Sequence, residues 1–132
     1  MNNDLYWLSL SLGATALFWL PYVLDRVAVR GVMGTLANPS ADLAPQSPWA
    51  QRAKQAHANA VENLAVFAPA VLAAHALGLG AGLVVFACQL YLFSRLLHFL
   101  VYTAGIIGLR TLAFTGGWIA TLLVVLRILG LP

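Results

Sequence analysis

Two short stretches of this chain carry polar side chains at spacings that would let them act on one ligand. Arg52, Gln55, Asn59 and Glu62 recur at i, i+3, i+7 and i+10, one face of a helix, with Asn63 on its edge. Arg95, His98 and Tyr102 recur at i, i+3 and i+7, again one face, which Tyr91 extends. Arg110 and Thr111 follow soon after. Guanidinium groups grip carboxylates through paired N–H donors. Arg52, Arg95 and Arg110 outnumber the one acid among them, Glu62, so the set suits an anionic ligand that bears carboxylates. Glu62 is expected to pair with Arg95 while accepting a hydrogen bond from an amine or amide of that ligand. The plainer alternative is that the Glu62–Arg95 pair only holds helices together. The neutral polar groups beside it, Gln55, Asn59, His98 and Tyr102, argue for more than that.

Other chemistries find little support. The three histidines, His57, His75 and His98, are scattered and supply no metal-ligand cluster. His57 lies off the Asn59 face and reads equally as a structural group or a subunit contact, and His75 reads as an interfacial residue. Cys88 lies in an apolar run and reads as a small buried hydrophobe. The glycines from Gly78 to Gly82 follow no strand, so they make no dinucleotide fingerprint. No Ser–His–Asp set is evident.

The elements that carry these residues belong to a membrane. The chain has 132 residues, of which 61% are hydrophobic and 8% charged, with mean hydropathy +0.86. A soluble domain carries roughly a quarter charged residues, so an ordinary soluble domain is excluded. Disorder is excluded by the hydrophobicity, and a disulfide framework by the single cysteine. Seven Lys and Arg against four Asp and Glu give a net charge of +3, but the basic residues form no patch for nucleic acid. About four spans of roughly 20 residues fit this length, as one domain over residues 1–132.

The first span is expected over Leu5–Leu24, retained rather than cleaved, because the start is acidic and polar. Asp25–Pro48, rich in Pro and Gly, reads as a loop. A second helix is expected from Ser47–Pro48, with Ser47 as N-cap, to Leu77. It is polar to Asn63 and apolar from Leu64, too short in its apolar part to span alone. A third runs from Leu83 through the Arg95–Tyr102 face, and a fourth from about Arg110 to Leu129. The expected fold is therefore all-α, a four-helix integral membrane bundle subunit. Its two polar helix halves adjoin the first and third loops, which lie on one side of the membrane, so the two faces converge at similar depth.

The stretch Arg52-Ala53-Lys54-Gln55-Ala56-His57-Ala58-Asn59-Ala60-Val61-Glu62-Asn63 resembles the helix-two signature of the MAPEG family, the membrane-associated proteins in eicosanoid and glutathione metabolism. Arg95, His98, Tyr102 and then Arg110-Thr111 are similar to that family's helix-three and helix-four signature, and the Ala37-Asn38-Pro39 turn matches as well. The resemblance covers nearly the whole chain and points to the bacterial branch. It implies a homotrimer that binds glutathione as co-substrate between adjacent subunits on the cytosolic side. It implies that residues matching Asn59 and Glu62 hold the tripeptide's polar ends, while Arg52, Arg95, His98, Tyr102 and Thr111 support or contact it. Arg30 matches a basic ligand from the first loop. Arg110 would be the catalytic residue that favours the thiolate. Gln55 stands where characterised members often have a carboxylate-gripping arginine, and His98 follows the prostaglandin-type pattern. The implied activity is glutathione transfer or peroxide reduction on lipophilic electrophiles that arrive through membrane lipids. The alternative is a non-catalytic bundle whose polar cluster serves trimer assembly or binds a lipid head group.

Arg26, Arg30, Arg52 and Lys54 flank the first loop, and Arg110 borders the third. The positive-inside rule makes that side cytoplasmic, in a bacterial inner membrane, with Arg127 as a snorkelling exception. Ser40→Cys and Asn3→Cys variants should therefore label from opposite sides of oriented vesicles. Labelling of both from one side would refute this topology.

Overall fold

Long runs of Leu, Ala, Val and Phe satisfy their backbone polar groups inside helices, the solution a bilayer demands of a single chain segment. A computed structural model describes residues 3–131 and is all-α: α1 Asn3–Leu17, α2 Leu20–Leu36, α3 Pro48–Ala76, α4 Leu83–Ala104 and α5 Ile107–Ile128. Three stretches are long and apolar enough to cross a membrane, Asn3–Leu36, Leu83–Ala104 and Ile107–Ile128. The first joins α1 and α2 across a short break, with Pro21 opening α2 where its missing N–H costs nothing. α3 is long enough but too polar over its first half to qualify, in keeping with its sequence.

Two boundaries differ from expectation. The helix expected to end at Leu24 continues as α2 to Leu36, so only residues 37–47 form the loop. Gly31 interrupts α2 with φ 70°, yet the helical bonding resumes after it. Pro39 and Pro45 lie beyond Leu36, within the loop. The last helix starts at Ile107, so that Arg110 sits in its first turn, its amide bonded to the Ile106 carbonyl at 3.2 Å.

α4 lies at the centre, packed against α1, α3 and α5. One core cluster joins Leu8, Phe67, Val71, Val84, Tyr91 and Val124, with the Phe67 and Tyr91 rings stacked at 3.7 Å. A second joins Phe18 and Phe99, stacked at 4.1 Å, to Ala53, Ala56 and Ala60. These alanines are fully or almost fully buried and let α3 approach its neighbours closely, the usual device where lipid offers no hydrophobic drive between helices.

Each end of the bundle is tied by a polar contact. At one end the buried Asp4 meets His75, Oδ2 to Nδ1 at 2.8 Å, joining the start of α1 to the last turn of α3. At the other, Arg52 Nε donates to the Thr103 carbonyl at 2.9 Å, joining the start of α3 to the end of α4. The 37–47 loop and the Gly105–Ile106 turn therefore share one end, and the polar halves of α3 and α4 lie at the same level.

Gly80 closes over the Asp4 carboxylate: a Cβ there would strike Asp4 Oδ2 and come within 2.8 Å of its Cγ, whereas a Cβ on Gly108 would meet nothing within 4 Å. Gly80→Ala should therefore lower the stability of the detergent-solubilised protein by ~1–3 kcal/mol, the usual cost of overpacking. Gly108→Ala should not lower it. Unfolding midpoints of the two variants make the comparison.

Candidate functional site

Arg95 occupies the middle of the polar level. It is 3% exposed, held by α4 against α3 and α5. Its Nη1 donates to Asn59 Oδ1 at 3.2 Å and its Nη2 to the Phe114 carbonyl at 2.9 Å. A helical carbonyl has a second lone pair to give. The guanidinium carbon lies 5.2 Å from the Phe114 ring centre and 5.5 Å from that of Tyr91, within cation–π range. Gly117 supplies the room, since a Cβ there would fall on the guanidinium, 2.8 Å from its carbon. Gly116 does the same for Ser94, whose hydroxyl a Cβ would strike. No sequence reasoning flagged this glycine pair; two adjacent glycines within an otherwise helical apolar run were the available signal.

The expected Glu62–Arg95 pair does not form among the described residues of the subunit. α3 is rotated so that Asn59 meets the guanidinium while Glu62, one turn on, lies exposed. A neutral amide thus stands where a carboxylate was expected. Asn63 supports it, with Nδ2 donating to the Asn59 carbonyl at 2.8 Å and to Asn59 Oδ1 at 3.3 Å.

Further along α4, His98 is buried, and its ring meets Tyr102 edge-on at 5.4 Å and Phe114 at 6.2 Å. Arg110 reaches back from α5 and lies over the Tyr102 ring, 4.6 Å from its centre. The tight turn that permits this return rests on Gly105 in the left-handed region, φ 82°. Arg52 packs against the same turn, since a Cβ on Gly105 would lie 3.3 Å from Arg52 Nε.

Arg30 and Gln55 are brought together elsewhere at this end. Both line a recess of about 390 Å³ with Lys54 and with Gln51, which no site reading includes. Arg30 is held there by Nε donating to the Ala44 carbonyl at 2.7 Å. Thr111 is exposed, as are Gln55 and Glu62. The remaining histidine of this half, His57, meets the Tyr22 hydroxyl through Nδ1 at 2.9 Å and serves to join α3 to α2.

The site residues thus fall into an inner set, Arg95, Asn59 and His98, and an outer set that α3 and the start of α5 turn outward. Apolar spans around a polar, cationic level at one end define a multi-pass membrane protein. The chain belongs to the MAPEG family, whose family model matches residues 5–130. It is therefore a member of a family of membrane proteins built around glutathione-related chemistry. No curated protein and no solved structure matches the chain at a significant level.

Proposed function

We propose that this chain is a glutathione-dependent transferase or peroxidase acting on hydrophobic electrophiles, working as a homotrimer with glutathione held between subunits at the loop end. The carrying observation is Arg110, whose guanidinium lies 4.6 Å from the centre of the Tyr102 ring in the first turn of α5. A thiol has an ordinary pKa near ~8.5, and a fixed neighbouring cation lowers it by favouring the thiolate. The N-terminus of α5 adds roughly half a positive charge. In transfer, the thiol proton leaves to solvent and the sulfur lone pair forms the new S–C bond. The electrophile then expels its leaving group or takes up a proton.

The donor set fits the co-substrate. Glu62 and Gln55, exposed on α3, would meet an ammonium group and a carboxylate, Asn59 would donate from Nδ2 to an amide carbonyl, and the terminal nitrogens of Arg30 and Arg52 would neutralise carboxylates. His98, Tyr102 and Thr111 complete the pocket around the thiol, and Arg95 supports Asn59 from within. With the basic loop end cytoplasmic, the tripeptide enters from the cytosol of a bacterial cell and the electrophile from the inner-membrane lipid. One observation favours a second reading, a bundle in which the polar level only assembles the protein: both terminal nitrogens of Arg95 are engaged within the subunit, by Asn59 and the Phe114 carbonyl.

Arg110→Leu separates the two. Under the proposed function it leaves glutathione binding largely intact but removes the ultraviolet thiolate absorbance that develops as glutathione binds near neutral pH. It also slows conjugation of a generic hydrophobic electrophile by about 10²-fold or more, the scale of losing one transition-state charge contact. An unaltered thiolate signal in a well-folded Arg110→Leu trimer would assign activation to another group. Absence of glutathione binding by the wild type would favour the assembly reading.

A further inference from the structure

Asp25 stands outside every motif above, yet it is the most heavily engaged acid at the loop end. It is 8% exposed on α2. Its Oδ1 accepts from the Ser47 hydroxyl at 2.5 Å, and its Oδ2 accepts from the Ser47 amide at 3.0 Å and from Gln46 Nε2 at 3.4 Å. The other acids are committed differently: Asp4 meets His75 at the far end, while Asp42 and Glu62 are exposed.

Ser47 is the N-cap of α3, but its side chain makes no cap bond within that helix. A capping serine ordinarily turns its oxygen to an amide of the first turn. Here the hydroxyl donates to Asp25, and the Asp25 carboxylate takes the capping residue's own amide. α3 is thus anchored from outside, by a negative charge of another helix placed at the positive end of its dipole. From Ser47 the helix carries Arg52, Gln55, Asn59 and Glu62 on successive turns, so the anchor sets their rotation and depth. The same residue steadies the loop wall. Gln46 donates to the Tyr22 carbonyl at 2.5 Å as well as to Asp25, and its own carbonyl accepts from Gln51 Nε2 at 2.7 Å. Two residues earlier, the Ala44 carbonyl holds Arg30.

We infer that Asp25 is a positioning residue for the glutathione site: through Ser47 and Gln46 it fixes the first turns of α3 and the loop wall that holds Arg30, without touching the ligand. This inference rests on the proposed function. It separates affinity from activation, since Asp25 acts on the binding residues of α3 and the loop while Arg110 belongs to α5.

The test uses the purified full chain in detergent, with glutathione affinity measured by titration and activation by thiolate absorbance per bound glutathione at saturation. Asp25→Ala and Ser47→Ala should each weaken glutathione binding about tenfold, equivalent to ~1.4 kcal/mol. Absorbance per bound glutathione should stay at the wild-type value, a separation that general destabilisation would not produce. The double variant should bind no more weakly than Asp25→Ala alone, because both changes break one link. Asp25→Asn, which keeps an acceptor for the Ser47 amide, should recover most of the affinity. Unchanged affinity in a folded Asp25→Ala protein, additive losses in the double variant, or a fall in absorbance per bound glutathione would each overturn the inference. If Asp25→Ala does not assemble, Ser47→Ala, which removes only a hydroxyl, decides by the same criteria. A wild type that binds no glutathione overturns the proposed function and this inference together. A wild type that binds while Asp25→Ala and Ser47→Ala bind equally well overturns this inference alone.

Discussion

A guanidinium at membrane depth needs acceptors, and the arrangement of this protein follows from where Arg95 finds them. A charge in that position costs ~2.5–3.5 kcal/mol on insertion scales unless it is partnered. Arg95 finds its partners within the subunit: an amide oxygen on α3, a main-chain carbonyl on α5, and the faces of Tyr91 and Phe114. Each belongs to a specific turn of its helix. Sliding α5 by one turn would lose the Phe114 carbonyl and bring a side chain where Gly117 now stands. Rotating α3 would lose Asn59. One buried charge thereby fixes the relative register of three helices, while the apolar stacks of Phe67 on Tyr91 and Phe18 on Phe99 supply cohesion on either side of it.

That register has a chemical consequence. With the terminal nitrogens of Arg95 held by neutral groups, Glu62 is left exposed on α3, and Arg110 comes to lie over Tyr102 at the loop end. Among the described residues, this acid and the outer cations are therefore not paired with each other. Both ends are tied by a polar contact and carry a recess. At one, Asp4 and His75 join α1 to α3 beside a recess of about 760 Å³ that Gly80 also lines. At the other, Asp25 and Ser47 hold α3 in place beside a recess with cationic walls.

Much of this was legible in the residues. The helical spacing of Arg52, Asn59 and Glu62 and of Arg95, His98 and Tyr102 placed two polar faces at one level, because spacing reports a face directly and charge in the loops reports the end. The apolar half of α3 reads as too short to span alone, and α3 is not among the three candidate spans. What stayed hidden depends on relations between distant segments. Asp4 and His75 are 71 residues apart, and neither belongs to a motif. The role of Gly116 and Gly117 depends on which α4 residues cross them. Charge complementarity pointed to Glu62 as the partner of Arg95, but opposite charge does not fix helix rotation, and a turn of α3 put Asn59 there instead. The density of Pro and Gly from Asp25 to Pro48 reads as a loop, but the prolines all lie beyond Leu36, and helical bonding resumes after the kink at Gly31.

Whether Arg95 is seated by Asn59 or by Glu62 is decided by double-mutant cycles on the unliganded protein. Unfolding free energies in detergent would be compared for Arg95→Met with Asn59→Ala, and for Arg95→Met with Glu62→Gln, each singly and together. Seating by Asn59 predicts a coupling between Arg95 and Asn59 of roughly 1–3 kcal/mol, within the range for residues in direct contact in one network. It predicts coupling between Arg95 and Glu62 near zero. A large coupling to Glu62 with none to Asn59 would contradict it.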